Sequence, residues 1–250
     1  MIDKLELNTK AQELRELLGE DVNSPVDIFS LTQQIEGLTL VFYPLGQSIS
    51  GMCIRTNGVK LIAVNSLMSY GRQRFSLAHE LYHLYYDESR GYNVCSKSFD
   101  PKNDTEKCAD QFASYFLAPY RSMRMAVKRV CGERKPRMGD IVALEQYFGM
   151  SHQAMMWRLI SEKIVAREEA GVFGSGVMAA ARMLGYDDKL YRPLAVDAQK
   201  RTYGHYIKQV EALREQELVS GGKLDELLLE AYRDDIVFGD EEEPGGDAVD

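Results

Sequence analysis

The chain has 250 residues, 45% of them hydrophobic, enough to bury a sizeable core in one large domain or two small ones. Lys and Arg total 30 against 38 Asp and Glu, a formal net charge of -8, which argues against a chain built as a whole to bind a polyanion and leaves open only a local basic face. Cys53, Cys95, Cys108 and Cys131 form no CxxC pair, zinc knuckle or disulfide framework, and there is neither an export signal nor a membrane-length apolar run, so a reduced, cytoplasmic protein is expected.

Leu5, Leu14, Leu17 and Leu18 lie on a helix-compatible stripe that ends at Gly19, and Pro25 opens a second helical stretch that closes at Gly37. From Leu38 the residues turn β-branched and aromatic: "LTLVFYP" and "SGMCIRTNGVKLIAVN" predict strands, the last two joined through the hairpin dipeptide Asn57-Gly58. A small, mostly antiparallel sheet follows from these strands. Helical periodicity returns from about Ser69 to Asp87, then a polar loop is expected from Glu88 to Asp104, then a helix "DTEKCADQFASYFLAP" that stops at Pro119. Helices at roughly 138–148 and 151–164 are separated by "GMS", and Gly171, Gly174 and Gly176 mark a linker. The remainder to about Gly239 reads as helical, and "DEEEPGGDAVD" is acidic and almost without large apolar groups, so it is expected to be disordered.

"RQRFSLAHELYHLYYDES" carries the chemistry. His79 and His83 are i and i+4 on a helix, which puts both imidazoles on one face about 6 Å apart along the axis, as a metal requires. Leu77, Leu81 and Leu84 form an opposing apolar stripe for the core. Glu80 is rotated by about a hundred degrees from His79, off the metal but near the water it would activate, where a general base belongs. A catalytic zinc site takes three protein ligands and leaves one position open, so a third ligand is needed. Glu106 and Asp110 are again i and i+4, and are read as that third ligand and as a carboxylate that fixes the tautomer of a ligating histidine. Asp104 and Glu106 also suit the positive end of a helix dipole, and only the upstream HExxH turns the pair toward a ligand role. Cys108 points about two hundred degrees away from Glu106.

These runs, with "PVDIFSLTQQIEGLTLVFYPLGQSISG" and "IAVN" before them, resemble the ImmA/IrrE family of zinc metallopeptidases over roughly residues 10–165. The family's usual small residue in HELGH is Tyr82 here, which is expected to narrow the cleft. The resemblance implies a gluzincin-like site, with one zinc held by His79, His83 and Glu106, and an endopeptidase acting on a helix-turn-helix repressor, often encoded nearby, to switch on stress-response or mobile-element genes. Manganese could replace zinc in such a donor set. The expected architecture is α+β: a zincin-like metallopeptidase domain over 1–131, a helix-turn-helix-like subdomain over 132–168, a helical C-terminal region over 169–238 and an acidic tail over 239–250. Strand 51–55 or its hairpin partner is expected to align substrate by edge pairing. Tyr82, Tyr85, Tyr92 and His152 are available as oxyanion donors, but none is assigned.

Two readings compete. Residues 140–164 resemble a DNA-reading helix-turn-helix, whose second helix offers Ser151, His152, Gln153 and Arg158 among apolar residues. Packing or substrate docking is the preferred role for this unit, and direct nucleic-acid binding is not expected. The other alternative is a non-catalytic regulatory or toxin-antitoxin partner. "VKRVCGERKPR" is a basic run read as solvated charge between helices.

Overall fold

The computed structural model describes residues 3–56, 58–87, 91–96 and 104–239. Helix α1 (Lys4–Leu17) starts at Asp3, whose carboxylate accepts from the backbone N–H groups of Leu5 and Glu6. Its buried face is Leu7, Ala11, Leu14 and Arg15. Leu5 and Leu17, which the expected stripe included, are 76% and 72% exposed, because the true stripe is set by Leu7 and Ala11. Arg15 is fully buried and donates to the carbonyls of Asp21 and Phe116, tying this helix to a distant segment.

Helix α2 (Ile28–Gln33) leads into a five-stranded sheet, built of β1 (Leu38–Tyr43), β2 (Ile49–Thr56), β3 (Val59–Asn65), β4 (Gly91–Ser96) and β5 (Arg201–Gly204) in the order β4-β2-β3-β1-β5. Among the described residues only the β1–β3 pair is parallel, so the mostly antiparallel expectation holds. Gly58 sits in the β2–β3 turn with φ of 87°, whereas its expected partner Asn57 lies outside the described residues. Two departures from the sequence reading concern edges. Part of the expected loop after Asp87 is a strand, β4, which pairs with β2. The C-terminal region is largely helical as expected but also returns one strand, β5, to the free side of β1. Strands β2 and β3 therefore have both edges occupied and cannot align a substrate by pairing, contrary to the expectation for 51–55.

Helix α3 (Tyr70–Tyr86) lies between β2 and β3 on one side and α4 (Asp104–Leu117) on the other. Nearly all of it from Gly71 to Leu84 is buried, so Leu77, Leu81 and Leu84 sit in the core as expected while the histidine face is covered as well. Helix α5 (Tyr120–Cys131) precedes α6 (Met138–Phe148) and α7 (His152–Ser161), which form the expected helix-turn-helix shape. Gly149 closes α6 at φ of 64°, and a Cβ there would stand 2.5 Å from Arg74 Nε, so the turn accepts only glycine. The Ser151 hydroxyl caps α7 by accepting from Ala154 N. Helices α8 (Val177–Met183), α9 (His205–Glu215), α10 (Gly221–Glu230) and α11 (Asp234–Phe238) follow. Among the described residues no helix is long and apolar enough to cross a membrane. Of the acidic tail expected over 239–250, all but Gly239 lies outside the described residues.

Candidate metal centre

The helical period places His79 and His83 one turn apart on α3, and packing against α4 brings Glu106 across from both. The two Nε2 atoms are 3.2 Å apart. Glu106 Oε2 lies 3.2 Å from His79 Nε2, and Oε1 lies 3.3 Å from His83 Nε2. A tetrahedral ion with bonds of about 2.0–2.1 Å separates its ligand atoms by roughly 3.3 Å, so the three side chains fit one. His79, His83 and Glu106 form a group able to hold a metal ion. Burial would push the Glu106 carboxyl up, but hydrogen bonds to His79 and His83 overcome it and hold the group well below the ordinary carboxylate range.

Each imidazole is fixed from behind. His79 Nδ1 is 2.9 Å from Asp110 Oδ1, as expected, and His83 Nδ1 is 2.9 Å from Asp87 Oδ2. With a carboxylate accepting at Nδ1, each ring turns Nε2 toward the common point, where a bound ion would take the place of the Nε2 proton that otherwise meets Glu106. Asp87 escaped the sequence reading. It follows His83 by four residues, and an acid at the negative end of a helix is unfavourable without a partner, which was the available signal. Arg55 on β2 donates to the carbonyls of Leu84 (2.8 Å) and Asp87 (2.6 Å), which offsets the charge at that helix end.

Glu80 is fully buried and turned toward β2. A Cβ on Gly51 would stand 2.7 Å from Glu80 Oε1 and 3.2 Å from its Cγ, so glycine at 51 makes the space for this side chain. Three carboxylates, Asp87, Glu106 and Asp110, contact the two imidazoles, an excess of negative charge that favours a divalent cation.

The remaining candidates go elsewhere. Tyr82 packs into an aromatic cluster with Tyr86 and Phe112, and burial, together with Cys108, pushes its hydroxyl up to about 12. It fills core rather than narrowing a cleft. Tyr85 is half-buried beside Tyr86, and the side chain of Tyr92 lies outside the described residues. His152 Nδ1 is 2.6 Å from Glu145 Oε1, apart from the two ligand-type histidines. Arg158, one of the polar side chains offered to DNA by the helix-turn-helix reading, is fully buried against Glu162 and Ser114. The basic run is partly consumed in ion pairs, Arg134 with Asp140 and Lys135 with Glu169.

Comparison with curated proteins finds no match. The family model described as the IrrE N-terminal-like domain, peptidase M78, matches residues 33–159, just over half of the chain, from the end of α2 into α7. That span contains β1–β4, α3, α4 and every side chain of the centre described above, and the chain belongs to the M78, IrrE N-terminal-like, peptidase family.

Proposed function

We propose that the chain is a cytoplasmic zinc-dependent endopeptidase, with His79, His83 and Glu106 as metal ligands, Glu80 as general base and acid, and Asp110 and Asp87 as orienting carboxylates. The observation that carries this reading is the convergence of His79 Nε2, His83 Nε2 and the Glu106 carboxylate at 3.2–3.3 Å, beside a buried Glu80. A bound zinc supplies Lewis acidity, lowering the pKa of a water and polarising the scissile carbonyl.

Glu80 takes a proton from the attacking water as the new C–O bond forms. It then delivers that proton to the leaving nitrogen as the C–N bond breaks, so the carboxylate is regenerated. Burial of Glu80 under β2 keeps competing solvent away and holds one rotamer, while Asp87 and Asp110 keep the ligand rings from turning. The family resemblance supports a helix-turn-helix repressor, encoded nearby, as the protein substrate, and its cleavage would release stress-response or mobile-element genes. Manganese is a possible substitute ion.

The test compares wild type, Glu80→Gln, His79→Ala and Glu106→Ala, each equilibrated with limiting zinc and assayed by elemental analysis and by cleavage of the neighbouring repressor. Wild type should hold one zinc and cut. Glu80→Gln should hold the same zinc and cut about 10²–10⁴-fold more slowly, the usual worth of a positioned general base. His79→Ala and Glu106→Ala should lose the metal. A Glu80→Gln protein as fast as wild type would remove the proposed base.

A further inference from the structure

Strand β2 faces α3 along the metal centre. Its residues 51–56 pair with β3 without interruption, and residues 51–55 pair with β4, so this stretch is held from both sides. Gly51, Cys53 and Arg55 alternate along the strand and share one face of the pleat. Gly51 meets Glu80, and Arg55 meets Leu84 and Asp87, so strand and helix run alongside each other in the same direction. One rigid strand thus reaches the proposed base at one end and the terminus of the ligand-bearing helix at the other.

That terminus needs a hold from outside the helix. The last carbonyls of a helix lack intrahelical donors, and Asp87 has already left α3, with φ of -81° and ψ of 118°. The spacing of His83 and Asp87 therefore does not by itself aim the carboxylate, because the helical period ends at Tyr86. Yet Asp87 Oδ2 stands 2.9 Å from His83 Nδ1, with the two side chains only 12% and 1% exposed. Arg55 accounts for this. One guanidinium nitrogen donates to the Leu84 carbonyl in the last turn (2.8 Å) and the other to the Asp87 carbonyl (2.6 Å), so a single planar group spans the junction and fixes where the chain leaves the helix. Opposite Arg55 on β4 is Gly91, which has no side chain to compete for that space. A guanidinium holds two acceptors in a fixed fork, which the ammonium of a lysine does not.

We propose that Arg55 is a positioning residue of the metal centre: by gripping the Leu84 and Asp87 carbonyls it aims the Asp87 carboxylate at His83 Nδ1, and so holds the ring with Nε2 toward the ion. The proposal rests on the ligand reading above and adds to it a residue of the sheet. Its action passes through the Asp87 backbone and carboxylate to the ring, so it depends on the geometry of the guanidinium and not on its charge alone.

A double-mutant cycle tests this on the full-length chain, with wild type, Arg55→Lys, Asp87→Ala and the double variant. Two quantities are read: zinc affinity, by competition with a chromophoric chelator, and the His83 Nδ1–H proton resonance of the zinc-free protein, assigned by its absence from His83→Gln. Arg55→Lys should keep the fold by circular dichroism, weaken zinc binding about 3–10-fold, the scale of one lost hydrogen bond, and shift or broaden the Nδ1–H signal. In the Asp87→Ala background the same change should alter zinc affinity less than about twofold, since the carboxylate that Arg55 aims is gone. Arg55→Gln, whose single, shorter-reaching nitrogen cannot span both carbonyls, should repeat this result. Wild-type affinity with an unmoved Nδ1–H signal in both Arg55 variants, or a loss as large in the Asp87→Ala background, would overturn the positioning role. Loss of the fold in both variants would overturn it too, because Arg55 would then be holding the sheet and not one carboxylate. A wild type that takes up no zinc but shows the Nδ1–H signal, lost in Arg55→Lys, removes the metal reading and keeps the positioning. Zinc uptake and repressor cleavage with no response to Arg55 do the reverse.

Discussion

Helices α3 and α7 both set histidine near carboxylate, and both matched a functional pattern in the sequence. In α3 the side chains converge: two Nε2 atoms 3.2 Å apart face one Glu106 carboxylate, with a further acid behind each ring. In α7 they diverge, His152 going to Glu145 and Arg158 to Glu162 and Ser114. The difference lies in how many independent conditions each pattern imposes. HExxH followed by ExxxD demands donor atoms at one point from two helices, which few accidental packings meet. An apolar helix, a glycine turn and a capped helix describe any tight helical corner, and such a corner is as easily used for packing.

The contrast can be broken hardest at Arg158. Arg158→Ala leaves Glu162 buried without its partner and should cost about 3–5 kcal/mol of stability, read as a large fall in the denaturation midpoint. Unchanged stability together with weakened duplex binding would instead restore the DNA-reading role of α7. The next largest effect sharpens the α3 side. Asp87→Ala should weaken zinc binding about 10–100-fold, as Asp110→Ala should, because each frees a ligating ring to rotate. His152→Ala, whose ring is held by Glu145, should leave zinc affinity unchanged in the same titration. An Asp87→Ala protein with wild-type affinity would show that Arg55 and packing alone hold the end of α3. The smallest effect is at Leu5. Leu5→Ser should change stability by no more than about 0.5 kcal/mol in urea denaturation, since the side chain is exposed although it fits the apparent stripe.

Much of the centre was legible beforehand, for a local reason. His79, Glu80 and His83 are related by the period of one helix, which is a property of the backbone and needs no knowledge of the rest of the chain. Glu106 and Asp110 became legible only because they repeat that period on a second helix and a third ligand was wanted. Asp87 belongs to the same local pattern, one turn beyond His83, but an acid just past a helix end also suits plain solvent exposure, and only the packed position of the ring shows which it is. Tyr82 was misjudged because a residue between two ligands on a helix need not face the cleft; its side chain leaves toward Phe112.

By itself the sequence determined the periodic and punctuated parts of this protein: the helices, the Gly58 and Gly149 turns, the Ser151 cap, and the pairing of His79 with His83. Those features depend on dihedral preferences and on spacing within a few residues. Only the tertiary structure decided which sheet edges are covered, that Arg201–Gly204 returns to β1, that Gly51 opens space for Glu80, and that Arg158 is buried rather than presented. Each of these joins segments far apart in the chain, and no local preference encodes which distant partner a buried surface meets. The choice is made when the whole core closes, and there the energy of covering apolar area outweighs the small preferences of any single stretch.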